Sequence, residues 1–173
     1  GGSHYINAYI LPEILADFQE EYPGIQIALH ENDSATLAQM LTEKKLDLTF
    51  SCNTTFIEDF DHFPAFYDHI LLAVPGTWPI NDTLQDYVLS GADITAGKHL
   101  LADCPTVQLS DFVDQPFILL KKGNNLHDRC YQMFRDADLE PLVKMQLSQL
   151  VTAYRMAEHQ IGITFVSDRL VRD

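Results

Sequence analysis

Residues 11–50 constrain the fold most strongly, because they alternate twice between a helical pattern and a strand pattern within forty residues. Pro12 suits the first turn of a helix, where its missing N–H removes no hydrogen bond. Pro23-Gly24 ends that helix. Its apolar residues recur at helical spacing: Ile14, Leu15, Phe18 and Tyr22.

The second half of this stretch repeats the pattern. Alternating apolar residues predict a strand over residues 25–30, and Ser34 is a favourable N-cap for a helix that ends near Lys44-Lys45. Residues 46–50 then predict a second strand. Strands separated by helical crossovers predict a parallel sheet, in which ligands gather beyond the carboxyl ends of the strands.

The rest of the chain continues the alternation, so the predicted class is α/β. Strands are predicted over residues 70–74, 117–120, 143–147 and 161–166, and helices over 126–134, 149–159 and after Ser167. Residues 81–106 have a weaker pattern. There, Asp82 or Thr83 is a candidate cap for a short helix, and residues 99–103 form a candidate turn.

The charge balance excludes some functions. The 25 acidic residues against 11 Lys and Arg give a formal charge of −14, which repels phosphate backbones and argues against nucleic-acid binding by this segment. No apolar run approaches the roughly 18 residues of a membrane span. Cys52, Cys104 and Cys130 have no CxxC spacing, which favours reduced thiols in a cytoplasmic protein. Cys52 is interpreted as a small buried residue, since no neighbour in sequence would lower its pKa.

In this order and spacing, the segments resemble the effector-binding domain of LysR-type transcriptional regulators. The resemblance covers nearly the whole chain, although no single motif in it is decisive. The residues that carry it are Leu11-Pro12, Phe18, Tyr22-Pro23-Gly24, the Ser34–Leu41 helix, Leu46-Asp47-Leu48, Leu71–Pro75, Gln115–Leu119, Leu150-Val151, Gly162-Ile163 and Val166.

The resemblance implies a type 2 periplasmic-binding-protein fold, with two Rossmann-like βα lobes joined by crossing strands. We expect lobe I over residues 1–72 and lobe II over 73–173. The family also implies an N-terminal winged helix-turn-helix, and a returning strand and final helix after Asp173. We expect this chain to be a sensor domain trimmed of all three.

The implied function is ligand sensing. A small, anionic effector in the cleft between the lobes would control DNA binding and transcription by a full-length cytoplasmic homodimer or tetramer. DNA would be contacted only through the absent N-terminal domain, and no membrane is involved. The sequence does not indicate the effector, the target genes, or whether the regulator activates or represses. The segment of residues 81–106 is longer than the connection that the family usually has there. We favour a surface elaboration over a lid as its role.

In the family, polar residues where cleft-facing helices begin hold the effector, because helix N-termini present unpaired N–H groups and partial positive charge. A structural role is the alternative for several of these residues, as a helix cap for Ser3 and Ser34 and as an ordinary exposed histidine for His4. The positions that match are Ser3, His4, Ser34, Gly123, Asn124 and Ser148. Ser51 and Phe165 lie at the ends of two predicted strands, where we also expect the ligand to make contact.

No pattern indicates catalysis. GxSxG, P-loop, GxGxxG and HxxxH motifs are absent, and adjacent pairs such as His127-Asp128 point in different directions on a helix. We therefore predict no catalytic residue, metal ligand or cofactor. The main alternative function is an extracytoplasmic solute-binding protein of a transporter, which shares the fold. An enzyme on this fold is a weaker alternative.

Overall fold

The computed structural model describes residues 1–51 and 58–171, so the interpretation of Cys52 lies outside the described residues. The chain divides into two compact units. Unit 1 comprises Gly1–Ala65 and Gly123–Asn125, and unit 2 comprises Phe66–Lys122 and Leu126–Asp173. The assignment of lobes to residues 1–72 and 73–173 stays a prediction.

Unit 1 is built, in its described residues, on three helices. They are α1 (His4–Tyr9), α2 (Leu11–Glu21) and α3 (Ser34–Thr42). Pro12 lies in the first turn of α2, as predicted, and the helix ends before Pro23. The buried apolar residues of this unit come from the N-terminal helices and from α3: Ile6, Ile10, Leu11 and Leu37.

The apolar stripe of α2 is largely exposed, although apolar residues at helical spacing usually face a core. Of that helix only Leu11 is buried, whereas Ile14 is 42% exposed. Phe18 and Tyr22 pack against each other, with ring centroids 5.0 Å apart, and both remain exposed. The helical spacing predicted the helix correctly but not which surface it covers.

The two strands predicted in residues 25–30 and 46–50 do not form. The end of each range lies beside the chain start, where Gly2 N–H donates to the His30 carbonyl at 3.0 Å and Phe50 N–H donates to the Gly1 carbonyl at 2.9 Å. Only an isolated bridge joins Gly2 to Glu31. A strand needs a partner of similar length, and the Gly1-Gly2 segment is too short to complete a ladder.

The cap of α3 also differs from the prediction. Asp33, not Ser34, is the N-cap, and its carboxylate accepts from the Thr36 N–H at 2.8 Å. Ser34 is the first helical residue. Asp and Ser are comparably good caps, so the pattern could not decide between two adjacent candidates.

Over residues 66–122 and 126–171, unit 2 contains four strands in two pairs. β1 (Ile70–Ala73) pairs antiparallel with β4 (Thr164–Ser167), and β2 (Pro116–Leu120) pairs parallel with β3 (Leu142–Leu147). An isolated parallel bridge between Phe117 and Ile163 links the two pairs. The β2–β3 ladder is parallel, as the helical crossover between the two strands predicts.

The helices of unit 2 lie around these strands. None of the helices in the described residues is long and apolar enough to cross a membrane. Short 3-10 turns lie at Gln85–Tyr87, Lys98–Leu100 and Leu109–Phe112. The helices are α4 (Ile80–Thr83), α5 (Gly91–Thr95), α6 (Asn125–Asp136), α7 (Leu150–Glu158) and α8 (Asp168–Val171).

Two cap predictions in this unit had different outcomes. Neither Asp82 nor Thr83 caps a helix, because α4 already begins at Ile80, behind Pro79. Ser167 does precede the last helix, and its hydroxyl accepts from the Arg169 N–H at 3.2 Å.

Aromatic packing forms the centre of unit 2. Phe117 is fully buried and stacks on Phe165, with ring centroids 5.9 Å apart. Phe134 of α6 meets both rings edge-on. Such aromatic pairs contribute roughly 0.5–1.5 kcal/mol each beyond the area they bury. The predicted site residue Phe165 is thus part of the packed aromatic core.

Candidate functional site

Ser3 and His4 stand together where the first helix begins. Ser3 is the N-cap of α1, and its hydroxyl accepts from the Ile6 N–H at a long 3.5 Å. The cap and the effector contact are compatible, because a hydroxyl that accepts one bond still has a proton to donate. His4 Nδ1 lies 3.2 Å from both carboxylate oxygens of Glu31, so this side chain is partly engaged within the unit.

The start of α3 is less suited to an anion than the sequence indicates. Asp33 accepts from the Thr36 N–H at 2.8 Å and from the Thr36 hydroxyl at 3.0 Å. These bonds hold the pKa of the Asp33 carboxyl below its usual value, so its negative charge persists at this helix end. Ser34 and Ser51 are both half-buried in the same unit.

Gly123 and Asn124 also belong to unit 1. Gly123 has a backbone φ of +96°. Residues with a side chain rarely adopt this angle, which explains why a glycine stands in the turn before α6. A Cβ placed there would meet no atom within 4 Å, so open space lies beside the backbone. Unit 1 thereby holds six of the eight predicted contacts: Ser3, His4, Ser34, Ser51, Gly123 and Asn124.

Unit 2 holds the other two, in different surroundings. Ser148 is exposed in the connection between β3 and α7, where Gln149 is the N-cap and makes no capping bond with its side chain. Phe165 is only 5% exposed and belongs to the aromatic core. A buried ring of this kind shapes the surrounding structure more than it presents a polar contact.

Sequence reasoning missed a cavity of roughly 650 Å³ inside unit 2. Apolar residues of β1 and β4 form one part of its lining, with Phe165 among them, and the 81–107 segment supplies much of the rest. The volume lies within the range of small-molecule sites. The only available signal was the unusual length of the 81–106 connection, which does not reveal what the segment packs against.

Comparison with known families decides the assignment. The family model described as the LysR substrate binding domain matches residues 1–88 and 94–173. The chain belongs to this family. The unmatched residues 89–93 fall within the connection that the sequence singled out as long.

Individual relatives agree with the family. The chain is 24% identical over 168 residues to an uncharacterized HTH-type transcriptional regulator, YybE of Bacillus subtilis, and the match covers 97% of the chain and 50% of the relative. The chain thus spans about half the length of the curated relatives it matches.

Solved structures share the fold at low identity. One is the effector binding domain of QuiR in complex with shikimate, with a TM-score of 0.71 and 14% identity over 96% of this chain and 71% of that one. Another is the BenM effector binding domain with its effector benzoate, with a TM-score of 0.70 and 19% identity over 100% and 70%. Both resemblances support the fold.

The comparisons confirm the α/β class and the LysR type of effector-binding domain. They favour this assignment over the solute-binding protein of a transporter, because the curated relatives are transcriptional regulators. The individual residues that touch an effector stay predictions.

Proposed function

We propose that this LysR-family domain senses a small anionic metabolite in the cytoplasm and thereby controls DNA binding by a full-length homodimer or tetramer. An effector changes such an equilibrium only if it binds one conformation of the regulator better than another. The observation that carries the proposal is the family match over both segments, 1–88 and 94–173.

The anionic character of the effector has support from two sides. The QuiR domain is in complex with shikimate and the BenM domain is bound to its effector benzoate. Both compounds are carboxylates. In this chain, the Ser3 hydroxyl keeps a donatable proton after capping α1. A bond from a neutral donor to a carboxylate is charge-assisted and stronger than a neutral one.

Asp33 sets a limit on where the anion binds. Its ionised carboxylate caps α3, one residue before Ser34. We expect the anionic end of the effector to contact Ser3 and His4, and a neutral polar group of it to contact Ser34. His4 also has a carboxylate neighbour in Glu31, so an effector carboxylate would compete with Glu31 for this imidazole.

A thermal-shift screen tests the proposal. The chain is mixed with carboxylates, sulfur oxyanions and amino acids, and each compound that raises the melting temperature is titrated by calorimetry. Hits are repeated with Ser3→Ala in unit 1 and Ser148→Ala in unit 2. We expect each to weaken binding about tenfold or more, since a hydrogen bond to a charged group contributes about 1.5–3 kcal/mol.

Two further variants separate binding from folding. Ser3→Asn keeps a capping side chain but removes the hydroxyl, and Ser3→Asp keeps a cap while adding a charge that repels an anion. Ser110→Ala, at an exposed serine of unit 2, is the matched control. Binding that persists unchanged in Ser3→Ala, Ser3→Asp and Ser148→Ala contradicts the proposed contacts.

A further inference from the structure

His69, His99 and Asp168 form a compact cluster inside unit 2, although they are far apart in sequence. Each offers one potential ligand atom, and these atoms all lie within 4.8 Å of one another. His99 Nε2 is 2.9 Å from Asp168 Oδ2, and His69 Nδ1 is 3.4 Å from the same oxygen. We propose that this cluster is a binding site for a divalent transition-metal ion of the Zn²⁺ type.

The ligand chemistry supports this ion class. Two imidazoles and one carboxylate suit Zn²⁺ and related ions, which in tetrahedral sites have ligand atoms about 3.4 Å apart. The 3.4 Å separation between His69 Nδ1 and Asp168 Oδ2 matches that value, whereas His99 Nε2 is closer to the same oxygen, at 2.9 Å, and would have to move apart from it by about 0.5 Å to bind an ion. Three protein ligands leave one tetrahedral position for water or another small ligand.

Burial makes the cluster unusual. The side chains of His99 and Asp168 are only 3% and 2% exposed, whereas that of His69 is 47% exposed. The two buried groups are therefore held in place, and His69 can move to complete the site from the solvent side. The nitrogen of His99 that faces the proposed ion is Nε2, beside Asp168 Oδ2. Nδ1, on the other edge of the ring, is buried with no hydrogen-bond partner among the described residues and lies away from the cluster.

The backbone positions the carboxylate. The His69 N–H donates to Asp168 Oδ1 at 3.3 Å, and the Asp168 N–H donates to the His69 carbonyl at 2.9 Å. These bonds lie where β1 begins and β4 ends. The neighbouring Asp68 is already paired with Arg129 at 3.3 Å, so that cation does not compete for Asp168.

The ion would add a link between the turn that carries His99 and the paired ends of β1 and β4. His99 lies in the 3-10 turn Lys98–Leu100, within the long connection between β1 and β2, and borders the cavity. His99 and Asp168 are separated by 69 positions. A cross-link that closes a long loop removes much entropy from the unfolded chain, so the bound ion should stabilise unit 2.

Calorimetric titration of the untagged, EDTA-treated chain with Zn²⁺ tests the site. We expect one ion per chain, a higher melting temperature, and a tetrahedral Co²⁺ absorption spectrum when Co²⁺ replaces Zn²⁺. His69→Ala changes a half-exposed side chain and Asp168→Asn keeps the shape of the carboxylate. Each should weaken binding about 100-fold or more, since even an outer-shell partner of a metal typically contributes 10–100-fold.

His159→Ala is the matched control, because His159 is an exposed histidine of the same unit. It should bind Zn²⁺ as the unchanged chain does. The proposal is overturned if the unchanged chain binds no Zn²⁺, if His69→Ala and Asp168→Asn both bind with unchanged affinity, or if His159→Ala loses the same binding. The site stands independently of the effector, whose binding the Ser3 and Ser148 variants test.

Discussion

Asp33 caps α3 through Thr36 twice, because its carboxylate accepts both the backbone N–H at 2.8 Å and the side-chain hydroxyl at 3.0 Å. Asp33→Ala removes both bonds and should lower the free energy of unfolding by about 1 kcal/mol. Urea unfolding followed by circular dichroism measures this change. Ser34→Ala should change it by less than about 0.5 kcal/mol, and the reverse order would show that Ser34 is the cap.

The same cap predicts a pH dependence. Hydrogen bonds from Thr36 lower the pKa of Asp33 in the folded chain. A depressed carboxyl pKa stabilises the fold above the unfolded pKa of about 3.9, and this contribution is lost as the pH falls through the folded pKa. Comparing unfolding of the unchanged chain and Asp33→Asn at pH 7 and at acid pH should show the difference between them shrinking as the pH falls.

Gly162 provides a test of close packing between β2 and the segment before β4. A Cβ at this position would lie 2.9 Å from the Pro116 carbonyl oxygen and 2.9 Å from Ile118 Cγ1. Since the first of these is backbone, the strand itself would have to move. Gly162→Ala should therefore lower the stability of unit 2 by about 1–3 kcal/mol.

Trp78, the only tryptophan of the chain, packs against the core of unit 2 and reports its unfolding by fluorescence. Gly76→Ala is the matched control, because a Cβ there meets no atom within 4 Å. If both substitutions shift the urea midpoint equally, the close approach at Gly162 is not the cause.

Periodicity predicted the helices better than it predicted their surroundings. The spacing of Leu126, Cys130, Met133 and Phe134 anticipated α6, whose Cys130 and Phe134 are buried. The similar spacing in α2 anticipated a helix whose Ile14, Phe18 and Tyr22 are exposed. A helix is formed largely by local hydrogen bonds, whereas burial depends on which other segments pack against it.

Strands and the metal-ligand cluster depend on distant residues, so local patterns predicted them less well. Residues 25–30 alternate as a strand should, yet among the described residues they form no ladder, and Gly2 bonds only to the His30 end of the range. A search for HxxxH found no zinc motif, because His69, His99 and Asp168 meet only after β1 and β4 pair. The effector contacts came from family resemblance, and residue spacing alone would not have singled out Ser3 or Ser148.

Substituting Phe165, a predicted effector contact, tests whether its main role is to pack the core of unit 2. Its ring lies 5.9 Å from both Phe117 and Phe134, measured between centroids. Phe165→Ala should lower the free energy of unfolding by about 3–5 kcal/mol, as for other buried aromatic residues. Trp78 fluorescence in urea measures it. Phe63→Ala, at a ring that is 87% exposed, should change stability by less than about 0.5 kcal/mol. Equal effects would contradict the core role.

Cys130 should be inert to thiol reagents in the folded chain. Burial raises the pKa of its thiol to about 12, against a small opposing effect of Arg129. The thiolate is the reactive form, and its fraction at pH 8 is about a thousandfold lower than for an ordinary cysteine of pKa about 8.5. In a Cys52→Ser background, iodoacetamide should label the half-buried Cys104 first, and Cys130 only after urea unfolding or at strongly alkaline pH. Mass spectrometry of the digested chain assigns the label, and rapid labelling of Cys130 in the folded chain at pH 8 would rule out the buried thiol described here.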